Sequence, residues 1–316
     1  MTVDPQLPHA AAASADSASY EQHVCCNLCG NDDYSVVFKA DEAQVSRIVM
    51  CNHCGLMYAN PRRQRPDVDS IRTWDPAWNI VKKDRFRLSK QQLQIRDFRN
   101  TRRHLGSLFP QRGRLIEVGS GIGALLNSFK EDGWQVEAVE PWVEGCRYAE
   151  SHYGIKAHAM TLDEVGLADA SVDVILMIHV IEHLPDPAAT ITEAYRVLRP
   201  GGVLVVETPR YDSLMFKLLG CRERSITCNG HIYFYTNKSL QQLGQKAGFQ
   251  VQRAMCVGRS LSLDRLAWNV GVISKSAFIQ RLIGSVAAKL QFRKLWVHLN
   301  VRDMQRVYFQ KPHRPG

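Results

Sequence analysis

Two cysteine pairs, Cys26-Asn-Leu-Cys29-Gly and Cys51-Asn-His-Cys54-Gly, each place two thiolates one tight turn apart. The glycine after each pair lets the backbone fold back so that both sulfurs face one ion. Four sulfurs with no open position, at Cys26, Cys29, Cys51 and Cys54, form the donor set of a closed structural zinc (Zn2+) site and not of a catalytic one. Buried or disulfide-bonded cysteines are the plainer alternative, and Cys25, one residue out of step, is a substitute ligand. The second group with chemical capacity is the turn Glu117-Val-Gly-Ser-Gly-Ile-Gly123. Gly119, Gly121 and Gly123 allow the backbone to approach a ligand closely and to present amide hydrogens to it. Glu140, 21 residues beyond Gly119, stands where a carboxylate accepts both hydroxyls of a ribose. Ala124 also completes a dinucleotide pattern, so these residues alone fit NAD as well as other adenosine-containing cofactors.

These groups need elements to hold them. Between the cysteine pairs, Asp33–Phe38 and Val45–Met50 supply two short strands, as in a zinc ribbon. Asn60-Pro-Arg-Arg-Gln-Arg-Pro66 reads as an extended basic connector. Phe86, Leu88, Leu93, Ile95, Phe98, Leu105 and Leu108 then recur at roughly helical spacing. From Arg114 onward, the runs Leu115–Val118, Gln135–Glu140, Val172–Ile178 and Gly202–Thr208 alternate with helical patterns, the sequence form of an α/β fold with a parallel sheet covered on both faces. A helix from Asn237 to Gly248 precedes a strand from Phe249 to Met255, and Asp303 to Phe309 is the closing strand. Between them, Phe278, Ile279, Leu282, Ile283, Val286 and Leu290 form the apolar stripe of a basic amphipathic helix. The expected organisation is a tail over 1–22, a zinc ribbon over 23–62, a helical linker over 63–110, and a main domain over 111–316 with a helical insertion at about 257–302.

The chain has 316 residues, 45% hydrophobic and 9% aromatic, enough for one large core or a medium core with a satellite. Beyond the two pairs, Cys25, Cys146, Cys221, Cys228 and Cys256 follow no framework pattern, which favours a reducing cytoplasm. The first 20 residues are rich in Ala and Ser and carry no secretory pattern, and no apolar stretch reaches membrane-span length. The formal charge of +9 permits acidic partners, from phosphorylated or nucleotide-linked sugars to RNA or an anionic membrane surface.

The run Asp173-Val-Ile-Leu-Met-Ile-His-Val-Ile-Glu-His-Leu-Pro-Asp-Pro187, followed by Leu198-Arg-Pro-Gly-Gly-Val-Leu-Val-Val-Glu-Thr-Pro209, resembles the class I S-adenosylmethionine-dependent methyltransferases. The resemblance covers about residues 111 to 255 plus the last strand. It implies a Rossmann-like, seven-stranded sheet whose final antiparallel strand, at Met304–Phe309, enters the sheet edge. It also implies S-adenosyl-L-methionine (SAM) as cofactor, bound by Glu117, Gly119, Ser120, Gly121, Gly123, Glu140, Pro141, Trp142, Met177 and Ile178. In this family the glycine turn holds the methionine end, the acid after the second strand holds the ribose, and the residue beside it lies along the adenine. Trp142 fits that last place and fits a core position equally.

Methyl transfer from a sulfonium requires an aligned acceptor and removal of its proton. His179, Glu182, His183 and His231 are the candidate catalytic groups. The first three leave the carboxyl end of a central strand, where ligands bind in open α/β sheets. Glu182, His183 and His231 resemble the divalent-ion ligands of ubiquinone-biosynthesis O-methyltransferases and small-RNA 2′-O-methyltransferases, which implies a second divalent metal at the active site. Here His179 replaces the first acid of that pattern, and a nitrogen-rich set favours zinc, manganese or iron over magnesium. A metal-free histidine base and simple capping of the next helix by Glu182 and His183 are the alternatives. A ribbon ahead of this domain, ending in Cys-Gly-Leu-Met-Tyr-Ala-Asn-Pro61, looks like bacterial sugar and cell-envelope methyltransferases. That points to O-methylation, or the related C-methylation, of a sugar or small hydroxylated acceptor. The amphipathic stripe then serves as a lid, a homodimer contact or a peripheral contact with lipid-linked glycans at the membrane. RNA methylation is the competing class, but the Arg62-Arg63-Arg65 cluster is short and lacks interleaved aromatics.

Overall fold

A computed structural model describes residues 21–39, 47–63, 85–223, 225–226, 230–262 and 296–313. Its elements in chain order begin with β1 (Glu21–Gln22), β2 (Tyr34–Phe38), β3 (Ile48–Cys51), β4 (Met57–Ala59) and β5 (Arg62–Arg63). Then come α1 (Arg85–Asp97), α2 (Arg99–Leu108), β6 (Arg114–Val118), α3 (Ala124–Glu131), β7 (Gln135–Val139), α4 (Val143–Tyr153) and β8 (Lys156–His158). The remainder is β9 (Val172–Ile178), α5 (Pro187–Val197), β10 (Leu198–Pro209), α6 (Leu214–Leu219), a short 3-10 turn (Gly220–Arg222), β11 (Tyr233–Phe234), α7 (Asn237–Lys246), β12 (Gln250–Ser262) and β13 (Trp296–Gln310).

Seven strands form the main sheet in the order β12-β13-β10-β9-β6-β7-β8, with β13 antiparallel to both of its neighbours. The expected α/β class and the antiparallel closing strand are therefore present. Every residue of β9 is buried, as a strand covered on both faces requires. Its side chains alternate between two cores. Val174, Leu176 and Ile178 pack with Phe98, Leu105 and Phe129 on one face, while Ile175 and Met177 pack with Ile191, Leu240 and Leu243 on the other.

The second of these cores also contains Cys26, Leu28, Val49, Cys51, Leu56 and Tyr58, so the cysteine segment and the main sheet share one apolar interior. β2, β3 and β4 form an antiparallel sheet whose outer strand is β11, contributed from far down the chain. The stretch read as one linker helix is two helices hinged at Phe98, and Phe98, Leu105 and Phe109 enter the main core.

The insertion expected at about 257–302 is not helical at its ends. Arg259–Ser262 pairs with Trp296–Leu299 as a two-stranded continuation of β12 and β13. The cause is visible in Trp296-Val-His-Leu-Asn-Val301, which alternates with the two-residue period of a strand. The amphipathic stripe from Phe278 to Leu290, the tail over 1–20 and the connector over 64–84 lie outside the described residues. Among the described residues, no helix is long and apolar enough to cross a membrane.

Candidate active site

The glycine turn leaves β6 with three left-handed residues in alternate positions, Gly119, Gly121 and Gly123, at φ of 71°, 56° and 75°. Gly123 caps α3, and the Gly119 amide donates to the Val139 carbonyl at 2.8 Å, tying the turn to β7. A Cβ on Gly119 would stand 2.3 Å from Cγ2 of Val180. Gly119→Ala is expected to destabilise the fold by about 1–2 kcal/mol from its left-handed backbone alone, with more from that contact. A fall in the urea midpoint checks this, and an unchanged midpoint would show that the turn relaxes freely.

Glu140 accepts from the Gly121 amide through Oε2 at 2.7 Å and from the Trp142 amide through Oε1 at 3.0 Å. It thus holds the turn and the start of α4 together, with Pro141 between them. The Trp142 ring lies against the same turn, since a Cβ on Gly145 would meet both Trp142 Cε3 at 2.7 Å and the Gly121 carbonyl at 2.6 Å. Behind the turn, Glu117 is buried, and its Oε2 and the Ser120 hydroxyl make no hydrogen bond. Burial, and after it the charge of Glu140, pushes the Glu117 carboxyl up to about 8. Two buried polar atoms without partners beside a glycine cradle are a site built for a polar ligand. Met177 and Ile178 reach this rim at the end of β9, but their side chains are buried in opposite cores.

His179, the residue after β9, adopts a left-handed backbone with φ of 58°. Such a conformation is costly for a non-glycine residue and marks a constrained position. Its Nδ1 lies 3.3 Å from Glu182 Oε1 and its Nε2 lies 3.8 Å from Glu207 Oε1. The His179 side chain keeps 41% of its surface exposed, so the partial desolvation that opposes its charge is outweighed by the hydrogen bond and charge of Glu182 and the charge of Glu207, which raise its pKa. Glu182 is fully buried, and its second oxygen accepts from the Thr208 hydroxyl at 3.0 Å. Its pKa is lowered because the hydrogen bond and charge of His179 and the charge of His183 overcome the effect of burial.

His183 and His231 meet edge to face with ring centroids 4.6 Å apart. His183 Nδ1 is 2.9 Å from the Gly230 carbonyl, an acceptor, which puts the proton on Nδ1 and the lone pair of the neutral ring on Nε2. Tyr211 Oη lies 3.4 Å from His231 Nδ1. Burial, followed by the charge of His183, pushes His231 down to about 4, so it is neutral at pH 7. One ligand atom from each of Glu182, His183 and His231 lies within 4.8 Å of the others.

The four cysteines converge in the same way, with every sulfur within 4.8 Å of the others. The contacts across the two turns are 3.4 Å for Cys26 to Cys54 and 3.5 Å for Cys29 to Cys51. A tetrahedron with Zn–S bonds of about 2.3 Å has S–S edges of about 3.8 Å, so this set fits zinc closely. Gly30 and Gly55 take the expected left-handed conformation, with their amides donating to Cys26 and Cys51 carbonyls. Burial drives the Cys26 thiol far up and the Cys54 thiol to about 11. A cation is what would make thiolates favourable there. Cys25 is exposed and lies outside the cluster.

Thr208, Glu207, Tyr211 and Gly230 complete the histidine rim and have no counterpart in the sequence reading. Glu207 and Thr208 were legible only as the end of a strand adjacent to β9, where a carboxyl rim is formed.

The model of a family described as a methyltransferase domain matches residues 88–254. A Mycolicibacterium smegmatis protein named as a probable S-adenosylmethionine-dependent methyltransferase is 36% identical over 123 residues, 39% of this chain and 46% of the relative. A Bradyrhizobium ubiquinone biosynthesis O-methyltransferase is 31% identical over 100 residues, 30% of this chain and 39% of the relative. The chain spans about half the length, or less, of these curated relatives. Among solved structures, a chain from the complex between the Haloferax volcanii Trm112 methyltransferase activator and a methyltransferase has the same fold. Its TM-score is 0.54 at 14% identity, over 78% of this chain and 100% of that one.

Proposed function

This chain belongs to the methyltransferase-domain family, and on that premise we propose that it methylates a hydroxyl of a sugar or related small polyhydroxylated acceptor from SAM, in glycan, cell-envelope or secondary-metabolite synthesis. The observation that carries the reading is one shared rim. The glycine turn with its partnerless Glu117 Oε2 and Ser120 hydroxyl opens beside the end of β9, which leads to His183 and its ring contact with His231. When bound, SAM supplies an activated methyl group, so no nucleophile has to be built into the protein. Glu117 and Ser120 hold the amino-acid end of the cofactor, Glu140 its ribose, and Trp142 flanks the adenine. His183 takes the acceptor proton on Nε2, and the neutral His231 beside it avoids repelling the imidazolium that forms.

A second reading has Glu182, His183 and His231 hold a divalent ion, favoured by their donor atoms lying within 4.8 Å of one another. His179 and Thr208 fix the two oxygens of Glu182, as partners of metal-ligating carboxylates do. Such an ion would lower the pKa of a coordinated hydroxyl. The cysteine cluster holds structural zinc in either reading, in a reducing compartment that keeps its thiols available. Methyl transfer from labelled SAM into nucleotide-sugar, glycan and RNA fractions tests the acceptor class. Label in the sugar fractions is expected, and label confined to RNA would overturn it. Activity that survives chelation with the cysteine-bound zinc retained selects the base over the ion.

Glu117 makes cofactor binding depend on pH. With its carboxyl near 8 in the empty site, Glu117 is mostly protonated at pH 6.5, and holding the cofactor ammonium requires it to release that proton. Affinity therefore rises with pH, by roughly fivefold from pH 6.5 to 7.5, and levels near 8, as an α-amino group loses its own proton. Titration calorimetry in buffers of different ionisation enthalpy reads the proton release directly. Glu117→Gln should weaken binding and flatten this dependence; a flat wild-type profile would remove Glu117 from the cofactor site.

A further inference from the structure

We propose that the cysteine metal centre is a positioning element for the His183–His231 pair, acting through two backbone segments that the ribbon holds from one side. The inference rests on the zinc reading of the cysteine cluster and on the histidine roles above.

The first segment carries His231. Immediately after it, Tyr233 and Phe234 form β11 and pair with Tyr58 and Met57 of the ribbon strand β4. The Ala59 amide adds a bond to the Ile232 carbonyl at 2.9 Å. On its other side, this segment donates the Ile232 and Tyr233 amides to the Glu182 carbonyl at 2.9 and 3.2 Å. Ribbon, His231 strand and the residue before His183 are thus hydrogen-bonded in series. The second segment runs from His183 into α5. Asn27, inside the first cysteine pair, donates to the capping Asp186 carboxylate at 2.8 Å and accepts from the Ala188 amide at 2.9 Å. Arg62 donates to the Pro185 carbonyl at 2.9 Å and to the Tyr233 hydroxyl at 2.6 Å, touching both segments at once.

The metal would join the two parts of the ribbon that make these contacts. Cys26 and Cys29 flank Asn27 in one turn, while Cys51 closes β3 and, with Cys54, bounds the turn into β4. The close sulfur contacts cross from one turn to the other. Tying the four sulfurs to one ion fixes Asn27 relative to β4, and so His183 relative to His231. Glu117, Glu140 and the glycine turn make none of these contacts, so the effect falls on the histidines and spares the cofactor cradle.

The test removes zinc with a thiol-competing chelator from the full chain and follows metal content, homocysteine-form cofactor affinity, methyl transfer and the imidazole Cε1–H resonances of His183 and His231. Those resonances are assigned with His→Gln variants. Expected are displaced resonances for both histidines, cofactor affinity within about twofold, and kcat reduced about tenfold or more, since small misplacements cost that much. Cobalt in place of zinc should show the absorption of a tetrahedral four-thiolate site, and re-added zinc, which is diamagnetic, should restore the resonances. Asn27→Ala leaves the cysteines intact and guards against a cysteine variant or apo form that does not fold. It should keep its zinc and displace His183 more than His231. Unmoved resonances in a folded, zinc-free protein would overturn the proposal, as would loss of cofactor binding together with zinc, which would mean general support of the fold. The resonance and affinity measurements need no acceptor, so a failure of the proposed methyl transfer would be seen separately.

Discussion

His183→Ala is expected to lower kcat by about 10²- to 10⁴-fold, the usual contribution of a positioned general base, while cofactor affinity stays within about twofold. The separation follows from position. His183 bonds to the Gly230 carbonyl and meets the His231 ring, whereas the proposed cofactor cradle is the β6 turn with Glu117 and Glu140. His231→Ala should cost nearly as much, and the double variant little more than either single one, because groups that act as a unit do not contribute additively. His183→Gln is informative beside them: its amide can still donate to Gly230 but cannot take a proton near neutrality. If the glutamine variant retained kcat, His183 would be an orienting residue and not the base. Loss of cofactor affinity in the alanine variants would remove both histidines from the acceptor side. Isothermal titration and single-turnover methyl transfer give the two quantities independently.

How much of this site could be read from the chain differs residue by residue. Val172–Ile178 announced a doubly covered strand because all seven positions are apolar except Asp173, and the strand is found with those bounds. The cysteine spacing and the three glycines were equally legible, since each encodes a local backbone requirement that few other residues meet. What escaped was long-range pairing. β11 is only Tyr233–Phe234, too short for any periodicity, and its partner lies about 175 residues away in the ribbon. β8, Lys156-Ala-His158, is polar at both ends because it is the sheet's edge strand. The left-handed backbone of His179 has no signal in residue type, and its cause is tertiary: it sits between the carboxylates of Glu182 and Glu207. The bounds of about 257–302 set for the insertion gave too little weight to the alternation at Trp296–Val301, which carries the β12–β13 pair past the sheet.

Arg306→Met is expected to destabilise the protein by about 3–5 kcal/mol, the usual result of stranding one member of a buried ion pair. Arg306 and Glu207 are only 3% and 5% exposed. The guanidinium donates to Glu207 Oε2 through Nε at 2.6 Å, donates to Thr101 Oγ1 at 2.5 Å, and stacks 3.8 Å over the Phe98 ring. Methionine fills much of the same volume, so the loss measures the uncompensated carboxylate more than a cavity. It would be a large share of the roughly 5–15 kcal/mol that holds a domain folded. Glu207→Leu combined with Arg306→Met removes both charges and should recover most of that loss in urea unfolding. A double variant no more stable than Arg306→Met alone would show that packing, not charge, is at stake. Activity should not recover with stability. Glu207 Oε1 faces His179 Nε2, and His179 Nδ1 in turn holds Glu182, so the double variant frees the ring that fixes the buried acid beneath His183. A stable double variant with low kcat and ordinary cofactor affinity would therefore place Glu207 in the chain of contacts that orients the histidine rim, beyond its part in the core.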